Sequence, residues 1–216
     1  MITTEIYIFG SIVRCEVDPG SDVDVLVIAA PNEATQFPND WSVYSRDRLR
    51  SLFKRGTLFA WHLYCEAVPV FIPKGRGLLE QLGRPAPYTG GREEVSSLRI
   101  VLDGAIKELL SRSRSPTYEF GLLGMACRDI AMAALPTLQA RFMFSRVSPF
   151  LIETPRFPIS KRIYNLLCEC RRASTRGLRS PIPNGSLEKC IRRLPELSRW
   201  AMKIEEMLNE GVSKKN

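Results

Sequence analysis

The chain has 216 residues, a formal net charge of +8 and 44% apolar residues, enough for one large domain or two small ones around a real core. No apolar run approaches the roughly 18 residues of a membrane helix, and no charged leader with a cleavage site opens the chain, so a cytoplasmic protein with no membrane partner is expected. Six cysteines and a single histidine, with no Cys-x-x-Cys pair, argue against a zinc knuckle and for reduced, mostly buried thiols.

Residues 5–10 and 22–30 read as strands: short, β-branched and bounded by turn residues. Between them, Ser11 to Val17 is long enough for a short helix closed by Asp18-Pro19-Gly20, with Ser11 at its N-terminus, where backbone N–H groups favour an anion. Asp22 and Asp24, at i and i+2 on a strand, point to one side of the sheet while Val23 and Val25 point to the other. A small-residue turn upstream of such a pair holds a phosphate while the carboxylates hold a divalent cation. That is equipment for nucleotidyl transfer, a reaction that needs charge neutralisation and alignment more than covalent help. The plain alternative is an Asp-x-Asp that only solvates the start of a strand.

Asn39 or Asp40 is predicted to cap a helix that runs to about Arg55 and stops at Gly56. Thr57 to Glu66 alternates as a strand does, with Phe59, Trp61, Leu63 and Cys65 facing the core and Ala60, His62, Tyr64 and Glu66 lining a cleft. Val68 to Ile72 follows as a second strand, with a turn near Glu66-Ala67. The Gly- and Pro-rich stretch from Pro73 to Arg92 is the best domain boundary. Beyond it the pattern is helical: Val95–Leu110, an almost wholly apolar Tyr118–Leu135 that suits the centre of a bundle, then about 160–173 and 187–209, with a frayed Lys-Lys-Asn tail. Positive charge is densest late in the chain, for example Arg171, Arg172, Arg176, Arg179, Arg192 and Arg193. It is either a footprint for nucleic acid or nucleotide phosphates, or a solvated basic face.

Gly10-Ser11, ten intervening residues, Asp22-Val23-Asp24 and an apolar run together resemble the signature of the DNA-polymerase-β-type nucleotidyltransferase superfamily, closest to its small bacterial and archaeal members. The resemblance covers residues 5–30 well and 31–72 loosely. It implies an α+β fold, a nucleotidyltransferase-type mixed sheet with helices, followed by an all-α helical bundle. The expected division is a nucleotidyltransferase domain at 1–75, a linker at 76–92 and a helical domain at 93–216. It further implies that Gly10 and Ser11 hold the NTP triphosphate and that Asp22 and Asp24 hold Mg²⁺. Arg14 falls where small members often carry an arginine, and Cys15 stands where a nearby glycine is common.

The family also places a third carboxylate on a neighbouring strand. A strand from about Leu58 shows no acid before Glu66, which would lie about 13 Å beyond His62 at ~3.3 Å per residue. Either His62 takes the carboxylate's place or Glu66 reaches the site in another register; in their bland readings they are a core-edge histidine and a hairpin-turn residue. Tyr118-Glu119-Phe120-Gly121, with Arg128 beyond it, is similar to a helix of aminoglycoside nucleotidyltransferases that carries a catalytic glutamate, which makes Glu119 a further candidate base. The helical half is similar to domains paired with small nucleotidyltransferases, including the HEPN class. Arg128-Asp129 has no histidine after it, so RNA cleavage of the HEPN kind is not expected.

These readings lead to a Mg²⁺-dependent enzyme that moves a nucleoside monophosphate from NTP to a hydroxyl of a protein, an RNA or a small molecule. The alternatives are a weak or inactive nucleotidyltransferase-like binding protein, of an antitoxin or defence-associated regulatory kind, and a nucleic-acid binder using the basic C-terminal half.

Overall fold

The structure, a computed structural model, describes residues 4–17, 22–73, 75–111, 113–183 and 191–213. The Asp18-Pro19-Gly20 turn, Cys190, the first residues of the expected 187–209 helix and the Lys-Lys-Asn tail lie outside the described residues. The chain forms two compact units, Met1–Gly90 and Gly91–Asn216.

In the first unit β1 (Glu5–Phe9), β2 (Asp24–Ile28), β3 (Ser42–Tyr44) and β4 (Val68–Phe71) form a mixed sheet in the order β3-β2-β1-β4. The central β1 is antiparallel to both of its neighbours, and β2 is parallel to β3. Alternation along the strands sorts the side chains. Tyr7, Phe9, Leu26 and Ile28 pack against Leu49, Leu52, Phe53, Ala60, Leu63 and Leu78 of the helices α1 (Arg46–Lys54), α2 (Leu58–Glu66) and α3 (Leu78–Leu82). Val25, Val27 and Ala29 pack on the opposite face with Ile6, Phe37, Trp41 and Val43. Each large apolar side chain so buried contributes roughly 1.5–3 kcal/mol.

Two local expectations need correction. Helix α1 is capped by Ser45, whose Oγ accepts the Arg48 N–H at 3.2 Å, and not by Asn39 or Asp40. The intervening residues are used by β3, and the cap falls where the chain leaves it. Thr57–Glu66 is a helix and not a strand: the Thr57 hydroxyl accepts the Ala60 N–H at 3.3 Å, and backbone bonds run from Trp61 to Thr57 and from Ala67 to Leu63. The alternation misleads because the segment is apolar nearly all round. Ala60 and Leu63 enter the core, while Trp61 is buried on another side with its indole N–H on the Ala86 carbonyl at 3.0 Å. No hairpin turns at Glu66-Ala67 either, because β4 follows α2 directly and pairs with β1.

Of the stretch read as a linker, 76–92, residues 76–90 belong to the first unit and the last two open the Gly91–Leu110 helix. The stretch contains α3 with the buried Leu78, and Arg84 lies over the Trp61 ring, 5.2 Å from its centroid. Nothing in the sequence reading singled out Glu5, which is a buried carboxylate at 2% exposure. It accepts from Tyr7 Oη and the Leu78 N–H, both at 2.7 Å, and pairs with Arg46. Burial, reinforced by the neighbouring Glu5, pushes the Tyr7 phenol well up.

The second unit contains α4 (Gly91–Leu110), α5 (Pro116–Gln139), α6 (Lys161–Arg176) and α7 (Leu194–Ser213). Helix α5 is its centre, touching the other three. By length and composition it is the one helix among the described residues apolar enough to cross a membrane, contrary to the expectation that no stretch comes near this. Its apolar surface has a partner in this unit, since Phe120, Leu123, Cys127, Ile130 and Leu135 are buried. Gly121 and Gly124 let α6 come close: a Cβ on them would sit 2.8 Å from the Arg171 Cα and 3.0 Å from the Leu167 carbonyl carbon. The thiols divide more evenly than expected, with Cys127 and Cys170 buried, Cys168 half-buried, and Cys15 and Cys65 exposed.

Candidate active site

Strand β1 ends at Phe9, which pairs with Asp24 at the start of β2. Gly10 then takes a left-handed φ of +75°, a conformation that glycine adopts without a steric cost. A Cβ at this position would lie 2.0 Å from Asp24 Oδ2 and 2.9 Å from its Cγ. The backbone of the turn and the Asp24 carboxylate are therefore in direct contact. Asp22 lies two residues upstream, and both aspartates are exposed.

The turn is shorter than expected. Gly10–Ile12 is a three-residue 3-10 turn with Ser11 inside it, and no longer helix starts at Ser11. Its bonds are local: Val13 and Arg14 N–H to the Gly10 carbonyl at 3.2 and 3.3 Å, and Glu16 N–H to the Ser11 carbonyl at 2.9 Å. Cys15, at a left-handed φ of +57°, ends the helical path. Any anion held here is held by a tight backbone turn, without the dipole of a full helix.

Helix α2 brings the remaining polar groups. His62 and Glu66 are one turn apart, with His62 Nε2 2.9 Å from Glu66 Oε2. The same oxygen accepts from Arg14 Nη1 at 2.5 Å, while Arg14 Nε donates to Glu16 at 3.0 Å. The His62 ring meets Phe9 edge to face, 5.2 Å between centroids. Val68, which opens β4, pairs with Ile8, and the contact with Arg14 puts the preceding Glu66 at the Gly10 end of the sheet. The expected extended separation between His62 and Glu66 is thus replaced by a hydrogen-bonded pair at the Gly10 end of the sheet. Glu66 is the last residue of α2, where the helix dipole works against a carboxylate, and Arg14 and His62 offset that cost.

Glu119 lies in the second unit, in the first turn of α5. Burial, and then the charge of Glu108, raises its carboxyl above the ordinary value. Arg128 bonds Asp129 at 2.7 Å. Sequence reasoning missed Glu16 and Phe9, whose roles follow from position alone: one flanks Arg14, the other precedes Gly10.

For a divalent cation, Asp22 and Asp24 supply hard oxygen ligands at the edge of the turn. Among the described residues no three His, Cys, Asp or Glu side chains gather into a metal-holding group. Two exposed carboxylates suit Mg²⁺ by their chemistry, since that ion is usually held by one or two carboxylates together with substrate phosphates and water. They do not form an all-protein cage.

Residues 3–64 match the family described as nucleotidyltransferase domain. The match runs from before β1 into α2, so it includes Gly10, Ser11, Arg14, Asp22, Asp24 and His62 and stops just short of Glu66. This stretch of the first unit is thus a nucleotidyltransferase domain matching the polymerase-β type, which supports a general nucleotidyltransferase role and implies NTP as substrate. No curated protein matches the chain.

Proposed function

We propose that the protein is a Mg²⁺-dependent nucleotidyltransferase that moves a nucleoside monophosphate from NTP to a hydroxyl acceptor. The observation that carries this reading is the contact of Gly10 with Asp24, which joins a tight glycine-serine turn to an exposed carboxylate. In this reading Gly10 and Ser11 seat the triphosphate, Arg14 meets its charge, and Asp22 and Asp24 hold Mg²⁺. The bound cation supplies charge neutralisation for the transferred group and its leaving pyrophosphate. The protein residues fix the nucleotide against a rigid sheet end, which is most of what phosphoryl transfer asks of a protein.

The His62–Glu66 pair is the acid–base group of this reading, being at the Gly10 end of the sheet. Glu119, on α5 of the second unit, is left out of it. The acceptor is a protein, RNA or small-molecule hydroxyl. An RNA acceptor is supported by the exposed Arg176 and Arg179 at and after the end of α6.

The test is incubation with labelled NTPs and Mg²⁺ beside an Asp22→Ala/Asp24→Ala variant. Label transfer or pyrophosphate release from the wild type and none from the variant supports the reading. Equal release from both sinks it.

A second reading, a catalytically weak nucleotidyltransferase-like binding or regulatory protein, is favoured by one observation. Glu66 is held by Arg14 and His62, and no third carboxylate gathers with Asp22 and Asp24 among the described residues. Calorimetric NTP–Mg²⁺ binding without turnover would select it.

A further inference from the structure

Arg14 is engaged by two acids, with Nε on Glu16 at 3.0 Å and Nη1 on Glu66 at 2.5 Å. Its backbone N–H rests on the Gly10 carbonyl at 3.3 Å, so the Arg14 side chain starts from the turn that seats the phosphates in the reading above. The Arg14 and Glu66 side chains are only 18% and 12% exposed, so their pairing is screened less than a surface ion pair. Glu66 is the last residue of α2. Its oxygen Oε2 is held there by Arg14 on one side and His62 on the other. A guanidinium binds phosphate at least as readily as carboxylate, in the same forked geometry. Two anions therefore have a claim on one arginine.

We propose that Arg14 is shared between Glu66 and the nucleotide: triphosphate seated at Gly10-Ser11 competes with Glu66 for the guanidinium. Glu66, steadied by His62, is then a positioning residue that holds Arg14 beside the turn and sets how tightly nucleotide binds. This rests on the reading that the turn seats nucleotide phosphates. The physical consequence has a sign opposite to that of a metal ligand. Loss of a metal-ligating carboxylate weakens nucleotide–Mg²⁺ binding, whereas loss of a competing carboxylate strengthens it.

The experiment is a binding cycle on the full chain, by calorimetry with a non-hydrolysable NTP analogue plus Mg²⁺, and with inorganic triphosphate as a second probe. The proteins are wild type, Glu66→Gln, Arg14→Gln and the double variant, each checked for folding by circular dichroism and thermal melting. Glu66→Gln should tighten binding about tenfold, the scale of one charge-assisted hydrogen bond. Arg14→Gln should weaken it by a similar factor, and Glu66→Gln should have no effect once Arg14 is gone. A generic gain from removing a negative charge would persist without Arg14, and that result overturns the proposal. So does weaker or unchanged binding by folded Glu66→Gln. If folded wild type binds neither probe, the nucleotide reading itself fails and this proposal with it. If wild type binds but the cycle is additive, only the shared arginine fails.

Discussion

The carboxylate of Asp24 occupies the space that a side chain on Gly10 would need, with Oδ2 2.0 Å from the position of a Cβ. Residues 14 positions apart in sequence are pressed together because β1 and β2 pair antiparallel with Phe9 opposite Asp24. The turn can follow the strand this closely only with glycine at its first position.

Gly10→Ala should therefore cost on two counts: a left-handed φ, about 1–2 kcal/mol for an L-residue, and displacement of the Asp24 carboxylate. The expected outcome is a lower melting temperature together with nucleotide binding weakened at least tenfold. A variant that melts lower but binds nucleotide as wild type does would separate the turn from the site.

Glu5 offers a stability prediction away from the site. Glu5→Ala removes the acceptor of the Leu78 N–H and of the Tyr7 hydroxyl, together with the ion pair to Arg46. A loss of about 3 kcal/mol is expected, as for other broken buried pairs. Tyr7→Phe removes one hydrogen bond and should cost about 1 kcal/mol. Urea unfolding followed by fluorescence measures both.

Two glycines of the helical unit should respond with opposite signs. At Gly121 a Cβ would lie 2.8 and 2.9 Å from the Arg171 Cα and N, so Gly121→Ala must push α6 away and should cost about 1–3 kcal/mol. At Gly104, inside α4, a Cβ meets nothing within 4 Å. Gly104→Ala should raise stability by roughly 0.5–1 kcal/mol through helix propensity alone. Paired thermal melts decide it, and stabilisation by Gly121→Ala would contradict the close α5–α6 contact.

Glu119 supplies a pH dependence. Its folded-state carboxyl is raised above the unfolded value of 4.5 by burial and by Glu108, so the folded state holds the proton more tightly. The associated stability is fully present below the unfolded pKa and is lost as pH rises through the raised folded one. Glu119→Gln should therefore be more stable than wild type at pH 7, with the gap closing toward pH 4. Melting temperatures across that range test the sign, and a gap that widens on acidification would refute it.

The readable parts of the site were the local ones. Gly10-Ser11 and Asp22-Val23-Asp24 each lie within a few residues of a strand end, and the β-branched runs around them mark those strands. Helix α2 was misread because periodicity assigns an element only when one side is polar. Here Ala60 and Leu63 enter the sheet core while Trp61 is buried elsewhere, so alternation and helix both fit the same letters. Its Thr57 cap was the usable signal. Glu5 was illegible for a related reason: a strand carboxylate ordinarily faces water, and its partners come from α1 and the start of α3.

By itself the sequence determined the chemistry on offer at one strand end: a glycine-serine turn and two carboxylates, the groups that the proposed function assigns to phosphate and cation. Only the tertiary structure decided who meets whom there. Arg14 finds Glu66 across 52 residues, and His62 meets Phe9 edge to face, because β1 pairs with β2 on one side and β4 on the other. Such contacts depend on strand register and on the helix that precedes β4. These are set by burial summed over the whole unit, and no short stretch of sequence carries that sum.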